Sequence, residues 1–427
     1  MTLVVVGSGR LARAVCYSLG AMAHRLPDDA RVVVVGRRPE PVAELCYVAS
    51  ARAALAAESP DGPGGPDGPG RSRGAGAAVR FEPVVVDVAD EAAVAEVLGA
   101  AEPAGVLLCA STQSPWERMT APSAWTALVE RARFGVTLPF QAEQAVRVAS
   151  AVPDGAWFLN ACFPDAVNPV LAALDVPVLA GVGNIGLLAA SAQSALGLPD
   201  QRRLRMVAHH LHLYEPDRAE EEAMAWLDDE PLTGVGALLA AQRASARDEL
   251  NHVTGHTAAV LVAALLTGSD LDTNLPGPLG LPGGYPVRVH GVPLRVTPRV
   301  APRRLASVSP LSGPRNDNTD ASGRRGASRR GASGRGASRR GASAGRVELR
   351  LPAGISLDDA VARNQRWALA DGALVDGGRV TFGDAARAEL AAVAPELADG
   401  FDATDLTTVA ERMHGLRDQL RARPTGR

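Results

Sequence analysis

Short apolar runs alternate with amphipathic segments through the first half of the chain. Each run has the length of a strand that is buried on both faces, and the segments between the runs show the apolar spacing of helices. This alternation predicts an α/β protein built on a doubly wound parallel sheet. The predicted strands are residues 2–6, 31–35, 81–87, 104–109, 156–160 and 176–180.

Two segments interrupt the pattern with compositions that cannot build a core. Residues 59–77 are rich in proline and glycine, and residues 301–345 repeat arginine, glycine, alanine and serine. Both compositions predict disordered insertions. The arginine-rich tract could bind nucleic acid or an acidic partner, but its lack of aromatic residues for base stacking favours an inserted loop.

The second half of the chain predicts a smaller α+β domain. Strand patterns at 286–290, 292–296 and 347–351 flank the arginine-rich insertion and are expected to share one sheet. We therefore place one domain at residues 1–198 and a second, for substrate binding or dimerisation, at 199–427. Helices covering the second domain are predicted near 356–370, 383–394 and 403–422.

A glycine-rich turn follows the first apolar run directly. Gly7 permits a tight strand-to-helix turn, Gly9 lets backbone amides approach a pyrophosphate, and Ala12 allows the helix to pack closely on the strand. The phosphates would then lie at the helix N-terminus. The alternative is that the glycines only shape a turn. We predict a Rossmann-type dinucleotide site with Gly7, Ser8, Gly9, Arg10 and Leu11 as cofactor-binding residues.

The end of the second apolar run indicates which dinucleotide is bound. An acidic residue at this position would bind the ribose 2′-hydroxyl, whereas arginine accommodates a 2′-phosphate. The chain has Arg37 and Arg38 here and no carboxylate. We therefore expect NADP, as NADPH, to be favoured over NAD; the alternative is that both arginines are solvated loop charges.

Composition narrows the chemistry and the partners. The 427 residues are 46% hydrophobic and carry a formal net charge of −3, so no strong field attracts the chain to nucleic acid or membrane. No lysine is present, which excludes a pyridoxal Schiff base and a phosphate-binding lysine. The four widely spaced cysteines suit reduced thiols. With neither a leader peptide nor a membrane span predicted, we expect a cytoplasmic protein that takes a small-molecule substrate and is compatible with homo-oligomerisation.

The order of landmarks from residue 104 to residue 212 resembles the lactate/malate dehydrogenase-like branch of the NAD(P)-binding Rossmann superfamily. The resemblance places Ala110 and Ser111 at the tip of the fourth strand, beside the cofactor. It also implies that Arg118, in the following polar loop, binds substrate, and that a long helix containing Arg131, Arg133 and Phe134 comes next. Asn160 matches a strand-end asparagine that bonds cofactor and substrate, although three residues separate it from the proline that should follow.

The resemblance implies that His210 is the catalytic acid and base. Hydride transfer to a carbonyl or imine requires a proton for the heteroatom, and imidazole titrates near neutral pH. Because His209 and His212 lie within two residues of His210, the sequence does not decide which histidine matches the catalytic one. On a strand, His210 and His212 would face one side and His209 the other. A metal site formed by His210, His212 and Glu215 is an alternative that no ligand spacing supports.

Two groups of the family are missing from this chain. The segment 185–193 has neither the aspartate that orients the histidine nor the arginine that grips a substrate carboxylate. An ordinary 2-hydroxy acid substrate is therefore not expected. An acid from the run after the histidines could replace the aspartate, and Arg118, Arg131 and Arg133 are available anion anchors. That run contains Glu215, Asp217 and Glu220 to Glu222, and a further polar group comprises Asn251, His252 and His256.

These features predict an NAD(P)-dependent oxidoreductase that moves a hydride between NADPH and a carbonyl or imine of a small anionic substrate. The alternative is a catalytically inactive NAD(P)-binding subunit that regulates or partners a biosynthetic complex. The missing aspartate and arginine favour this alternative, and a turnover assay separates the two.

Overall fold

A six-stranded parallel sheet forms the first half of the chain. The computed structural model describes residues 1–57, 79–113, 117–291 and 346–423; both predicted insertions and the strand pattern at 292–296 lie outside these ranges. The strand order is 3-2-1-4-5-6, so the chain reverses its direction of travel between the first and fourth strands. The strands are β1 (Thr2–Val6), β2 (Arg31–Gly36), β3 (Arg80–Val85), β4 (Gly105–Leu108), β5 (Trp157–Asn160) and β6 (Ala180–Gly181).

This order confirms the predicted doubly wound Rossmann sheet. Such sheets bind ligands at the carboxyl ends of the strands where the order reverses, which here lies between β1 and β4. Val6 pairs with Val35 on one side and with Leu108 on the other, so three strands end together at this edge. The last strand is shorter than predicted because Pro177, within the predicted run, has no N–H for the ladder.

Helices cover both faces of the sheet. Alternate residues of β1 belong to different cores: Leu3 and Val5 face one core, and Val4 and Val6 face the other. Helices α1 (Arg10–Ala21) and α2 (Pro39–Ala57) pack on the first face. On the second face lie α3 (Glu91–Ala101), α5 (Ala124–Ala132), α6 (Leu138–Ser150) and α7 (Pro164–Ala173), while α4 (Glu117–Thr120) precedes α5.

One predicted helix is broken. The sequence predicted a long helix through Arg131, Arg133 and Phe134, but α5 ends at Ala132 and Arg133 has a φ of +68°. The Gly135 N–H donates to the carbonyl of Asp371 at 2.9 Å instead of continuing the helix. The prediction was wrong because a distant segment of the chain takes the hydrogen bond that the helix would have used.

Three small antiparallel sheets follow the parallel one. The strand Gly284–Val289 pairs with Leu271–Pro276 and with Val347–Leu349, which confirms that the segments on either side of the arginine-rich tract share a sheet. The strands are β7 (Leu204–Val207), β8 (Met224–Leu227), β9 (Glu230–Pro231), β10 (Leu271–Pro276), β11 (Gly284–Val289), β12 (Val347–Leu349), β13 (Ala373–Asp376), β14 (Arg379–Phe382) and β15 (Phe401–Asp402). The helices between them are α8 (Asn184–Ala195), α9 (Val235–Ala244), α10 (Arg247–Thr267), α11 (Leu357–Ala370), α12 (Asp384–Val393) and α13 (Leu406–Arg421).

The last two helices return to the first half of the molecule. They were expected to cover the second domain, but α12 packs on α5, and α13 packs on α5 and α6. Their apolar residues, including Leu390 and Met413, belong to the same core as Val4 and Val6 of β1. The domain boundary near residue 198 remains a prediction.

Helix α10 is apolar enough and long enough to cross a bilayer by composition alone, contrary to the sequence-based expectation that no segment would be. However, 61% of its most apolar window is buried inside the protein. It packs against α1, and Gly255 lies at the contact: a Cβ placed there would lie 2.5 Å from the Ala14 carbonyl carbon. These contacts are those of a core helix.

We expect Gly255→Ala to destabilise the protein by about 1–2 kcal/mol, because backbone atoms block the added methyl although alanine favours helix. Gly99→Ala on α3 is the matched control: a Cβ there meets nothing within 4 Å, so a gain of about 0.5–1 kcal/mol is expected. Denaturant unfolding of both variants measures the difference. Equal stabilities would contradict the close α1–α10 packing.

Candidate functional site

The glycine-rich turn between β1 and α1 lies at the point where the strand order reverses. Gly7 has a φ of +124°, and its N–H donates to the carbonyl of Val35 at 2.7 Å. A Cβ on Gly7 would lie 2.7 Å from the backbone nitrogen of Ala110, so only glycine fits between β1 and the tip of β4. The turn is therefore held against the residues that follow β4.

The N-terminus of α1 is open to a ligand. Gly9 caps the helix without a side-chain hydrogen bond, and the first turn contains no acidic residue. A Cβ built on Gly9 meets nothing within 4 Å, so the space in front of the helix is clear. Unpaired N–H groups and the helix dipole favour an anion here. This arrangement fits the pyrophosphate of a dinucleotide.

The other predicted cofactor residues surround this turn. Arg37 and Arg38 follow β2 and are exposed, and no acidic partner holds either of them within the described ranges. A Cβ on Gly36 would lie 3.0 Å from the Ser8 hydroxyl, so Ser8 lies beside the tip of β2. Two further predicted residues are engaged elsewhere. The Arg10 side chain pairs with Asp248 at the start of α10, and the Ser111 hydroxyl donates to Gln141 Oε1 at 2.9 Å.

A histidine–aspartate pair lies near the carboxyl edge of the sheet. His210 Nδ1 and Asp371 Oδ2 are 2.8 Å apart, and Nε2 has no hydrogen-bond partner among the described residues. The Phe134 ring stacks on the imidazole at 5.5 Å, and the Phe163 ring contacts it edge-on at 5.6 Å. Phe163 follows Cys162, whose thiol donates to the Ala110 carbonyl at 2.6 Å. The imidazole is thereby fixed on the side of the sheet where β4 and β5 end.

The surroundings of His210 favour its protonated form. Burial alone would lower the pKa of His210, but the charge and hydrogen bond of Asp371, with a smaller effect from Asp165, raise it above its usual value of 6.5. The side chain is 16% exposed, so a small molecule can reach it. An imidazolium held by a carboxylate at this edge can donate a proton and take it back.

Asp371, and not a residue of the acidic run after the histidines, bonds His210. It directly follows α11, 161 residues from His210, and two of the acids that the sequence suggested for this role bond other groups. Glu222 forms a salt bridge with Arg243 at 2.8 Å. Glu221 accepts a hydrogen bond from the Trp367 indole at 3.1 Å. No spacing in the sequence could have revealed Asp371, because its pairing depends on how the C-terminal segment folds back.

A second buried acid lies beside this pair. Asp165 follows β5 near the start of α7 and is fully buried, and no side chain in the described ranges donates a hydrogen bond to its carboxylate. Burial raises the pKa of Asp165 to about 6, with the charge of His210 opposing the rise and that of Asp371 adding to it. The sequence contained Asp165 only as a landmark after a strand.

The neighbouring histidines have structural contacts. The sequence placed them on a strand with alternating faces, but β7 ends at Val207, and residues 210–213 form a 3-10 turn capped by His209. His209 Nδ1 accepts from the Leu211 N–H at 3.3 Å. His212 Nδ1 accepts from the His209 N–H, and Nε2 contacts the Glu221 carbonyl, both at 2.9 Å. In the part of the chain that the structure describes, no group of three His, Cys, Asp or Glu residues is placed to hold a metal.

The remaining predicted residues divide into those held by the fold and those facing solvent. Asn160 ends β5 as predicted, but it is buried, and its amide donates to Asn168 Oδ1 at 2.9 Å and accepts from the Cys162 N–H at 2.8 Å. Arg118 is exposed and pairs with Glu130. Arg131 makes two hydrogen bonds of 2.8 Å to Glu389. Asn251, His252 and His256 lie within α10 and do not cap it.

Two arginines border the His210 site without a carboxylate partner among the described residues. Arg133 is exposed and adjoins Phe134, and a Cβ on Gly372, next to Asp371, would lie 3.1 Å from the Arg133 Cβ. Its φ of +68° is strained for a residue with a side chain. Arg247 begins α10, lies over the Tyr214 ring at 4.6 Å and tends to lower the pKa of His210. No pattern in the sequence pointed to Arg247, because its approach to His210 depends on the fold.

Several solved dehydrogenase structures resemble the chain. Malate dehydrogenase from Salinibacter ruber is 10% identical, over 70% of this chain and 90% of its own, with a TM-score of 0.41. Lactate dehydrogenase from Cryptosporidium parvum, solved with lactic acid and nicotinamide adenine dinucleotide, is 14% identical over 70% and 91%, with a TM-score of 0.41. Malate dehydrogenase from Picrophilus torridus is 12% identical over 71% and 90%, with a TM-score of 0.42.

These are the dehydrogenases that the sequence landmarks resemble. At such identities and TM-scores they say nothing about the substrate or cofactor of this chain, and the strand order itself establishes the Rossmann sheet. No family model and no curated protein matches the chain.

The buried His209 should make the stability of the folded protein sensitive to acid. Burial lowers the pKa of His209 to about 3, whereas in the unfolded chain it takes up a proton below about 6.5. The stability that it contributes is therefore present above that pH and lost as the pH falls, by at most about 1.4 kcal/mol per pH unit. His209→Asn keeps an acceptor for the Leu211 N–H but cannot be protonated.

We expect the unfolding free energy of His209→Asn to fall less steeply than that of wild type between pH 6.5 and 4. Denaturant unfolding at a series of pH values measures the slope. His256→Asn, at an exposed position on α10, is the control and should change the slope less. Parallel curves for wild type and His209→Asn would contradict a neutral, buried His209.

Proposed function

We propose that the protein is an NAD(P)-dependent oxidoreductase that moves a hydride reversibly between NADPH and a carbonyl or imine of a small anionic substrate. The observation that carries the proposal is the 2.8 Å pair of His210 and Asp371 beside the carboxyl ends of β4 and β5. An oriented imidazole near a turn of the dinucleotide-binding type supplies the proton donor that hydride transfer needs in addition to the cofactor. We assign the activity to the cytoplasm, as the sequence predicts.

The residues present fit a bound dinucleotide. The close approach at Gly7, the clear space before Gly9 and the uncapped start of α1 together suit a pyrophosphate. Arg37 and Arg38, exposed at the tip of β2, would pair with a 2′-phosphate. A bound dinucleotide would supply or accept the hydride, and these residues would hold it.

The acid–base role belongs to His210. In the direction of reduction, the imidazolium donates its Nε2 proton to the substrate heteroatom while Nδ1 stays bonded to Asp371. In the reverse direction, neutral His210 takes that proton back. Asp371 fixes the ring and stabilises its charged form, and Phe134 and Phe163 limit the access of water to the ring faces.

Arg133 and Arg247 are the proposed anchors for the substrate anion. They border His210 from two different segments, and no carboxylate within the described ranges neutralises them. Arg118 and Arg131 were expected to serve here, but each is paired with a glutamate. A guanidinium that is already paired with a carboxylate binds a second carboxylate more weakly than an unpaired one does.

The second candidate function is a catalytically inactive NAD(P)-binding subunit. Its support was the absence of the orienting aspartate and the anchoring arginine from 185–193. Asp371 and Arg247 provide groups of the same kind from other segments, which favours the enzyme. A panel of carbonyl and imine acceptors tests this: NADPH oxidation supports the enzyme, and binding without oxidation supports the subunit.

The cofactor preference is tested by replacing Arg37 and Arg38 together with alanine. Loss of two charges beside a 2′-phosphate should weaken NADPH binding by roughly 10–100-fold, since hydrogen bonds between charged groups contribute about 1.5–3 kcal/mol. NADH binding, which lacks this phosphate, is the internal control and should change little. Calorimetric affinities that fall equally, or a wild type that prefers NADH, would refute the preference.

The acid–base assignment is tested by His210→Asn and Asp371→Asn. We expect His210→Asn to keep its NADPH affinity and lose turnover by about 10²–10⁴-fold. The reduction step requires protonated His210. The rate of reduction therefore falls as the pH rises through the raised pKa of His210. Asp371→Asn should move this fall to lower pH, because Asp371 raises the pKa of His210.

Rates of reduction from pH 5 to 9 measure both effects. His256→Asn, on the exposed surface of α10, serves as the control for substituting a histidine. Full turnover by His210→Asn would rule out the proposed role of His210. If the rate of reduction by Asp371→Asn falls at the same pH as that of wild type, the proposed role of Asp371 is ruled out.

The anion anchors are tested with Arg133→Ala and Arg247→Ala. Each variant should lose about 10–100-fold in kcat/KM for carbonyl or imine acceptors that carry a carboxylate, and far less for neutral acceptors of similar size. Arg131→Ala is the matched control, since that guanidinium is held by Glu389, and its kcat/KM should stay near wild type. The anchors are misassigned if the carboxylate preference survives in both variants.

A further inference from the structure

Two helices begin side by side at the glycine-rich turn. Arg10 at the start of α1 pairs with Asp248 at the start of α10. Further along the same two helices, Gly255 of α10 packs against Ala14 of α1. Both contacts advance in the same direction along the two helices, so the two N-termini lie at the same end. Because a helix N-terminus carries partial positive charge, this end of the pair attracts anions.

The protein supplies a carboxylate of its own at this end. The first turn of α1 contains no acidic residue, whereas the first turn of α10 contains Asp248 and Glu249. Asp248 reaches across to Arg10, which directly follows the capping residue Gly9. A guanidinium recognises a carboxylate and a phosphate in the same way, through charged N–H···O bonds. The contact of Asp248 with Arg10 is therefore of the kind that a phosphate oxygen of a dinucleotide makes.

The ion pair lies where a ligand can break it. The side chains of Arg10 and Asp248 are 52% and 56% exposed. Ion pairs that are this exposed contribute little to stability, because water solvates both charges when they separate. The other arginine of α1, Arg13, is bonded to Glu44 at 3.0 Å and is further from the start of the helix. Arg10 is thus the arginine of α1 that a phosphate at the glycine-rich turn can recruit at small cost.

We propose that Asp248 competes with the dinucleotide pyrophosphate for Arg10, and that this competition sets the affinity of the cofactor site. In the free protein, Asp248 holds Arg10. When a dinucleotide binds, Arg10 exchanges the carboxylate for a phosphate oxygen. Asp248 then remains at the N-terminus of α10, where the helix dipole stabilises its charge. The inference rests on the dinucleotide site of the proposed function, but not on the hydride transfer.

Competition at the pyrophosphate differs from recognition of the 2′-phosphate in the nucleotides that it affects. NADPH and NADH both contain the pyrophosphate, so removing the Asp248 charge should strengthen the binding of both by the same factor. The loss of a negative charge near the phosphates acts in the same direction. Arg37 and Arg38, by contrast, are expected to distinguish the two nucleotides, because NADH has no 2′-phosphate. A uniform gain in affinity is therefore the mark of the Asp248 competition.

Calorimetric titration of the full-length protein with NADPH and with NADH tests the proposal. We expect Asp248→Asn to bind both nucleotides about 2–5-fold more tightly than wild type, the range that an exposed ion pair allows. Arg10→Ala should bind both more weakly. Adding Asp248→Asn to Arg10→Ala should give a smaller gain, because no guanidinium remains to be released. Asp228→Asn is the matched control: its pair with Arg203 is 51% and 57% exposed and joins β8 to β7, so both affinities should stay unchanged.

The outcomes separate this inference from the proposed function. Unchanged or weaker binding of the nucleotides by Asp248→Asn overturns the inference and leaves the cofactor site standing, as does a gain for one nucleotide alone or an equal gain in the Arg10→Ala background. If neither wild type nor Asp248→Asn binds a dinucleotide, the inference and the proposed function fail together. Binding without turnover rejects the oxidoreductase and leaves the inference standing. Asp248→Ser is a second neutral variant that decides the question if Asp248→Asn does not fold.

Discussion

The pairing of Asp371 with His210 is the contact on which the site depends. The side chain of Asp371 holds the imidazole, and its backbone carbonyl accepts the Gly135 N–H that the α5 helix would otherwise have used. One residue thus joins the turn after β7, the break between α5 and α6, and the end of α11. That break places Phe134 on the imidazole and leaves Arg133 in a strained conformation at the edge of the site.

Electrostatics explain why this contact is suited to chemistry as well as to packing. A buried imidazole alone would lose its charge, as His209 does. His210 keeps its charge because Asp371 bonds it and Asp165 lies nearby, while Arg247 limits the effect. The pKa values of two adjacent histidines in one turn are thereby moved in opposite directions, so that His209 is a neutral cap and His210 favours its charged form.

The glycine-rich turn at Gly7 depends on a different constraint, the close approach of two strands. Gly7 is pressed against the backbone of Ala110, and Cys162 also reaches the Ala110 carbonyl. Ala110 therefore connects the dinucleotide turn to the segment that contains Phe163 and Asp165. This connection brings the proposed hydride site and the proton-donating site to the same edge of the sheet.

The sequence by itself determined the features that local periodicity and turn chemistry encode. It predicted the parallel sheet, the glycine turn at Gly7 and Gly9, and the strand pairing across the arginine-rich tract, because each depends on neighbouring residues. His210 followed from an ordered resemblance. Tertiary structure alone decided that α5 breaks at Arg133, that the histidines lie on a turn, and that Asp371, Asp165 and Arg247 surround His210. Those outcomes require contacts between segments far apart in the chain, and no local spacing encodes which distant group supplies a hydrogen bond or a charge.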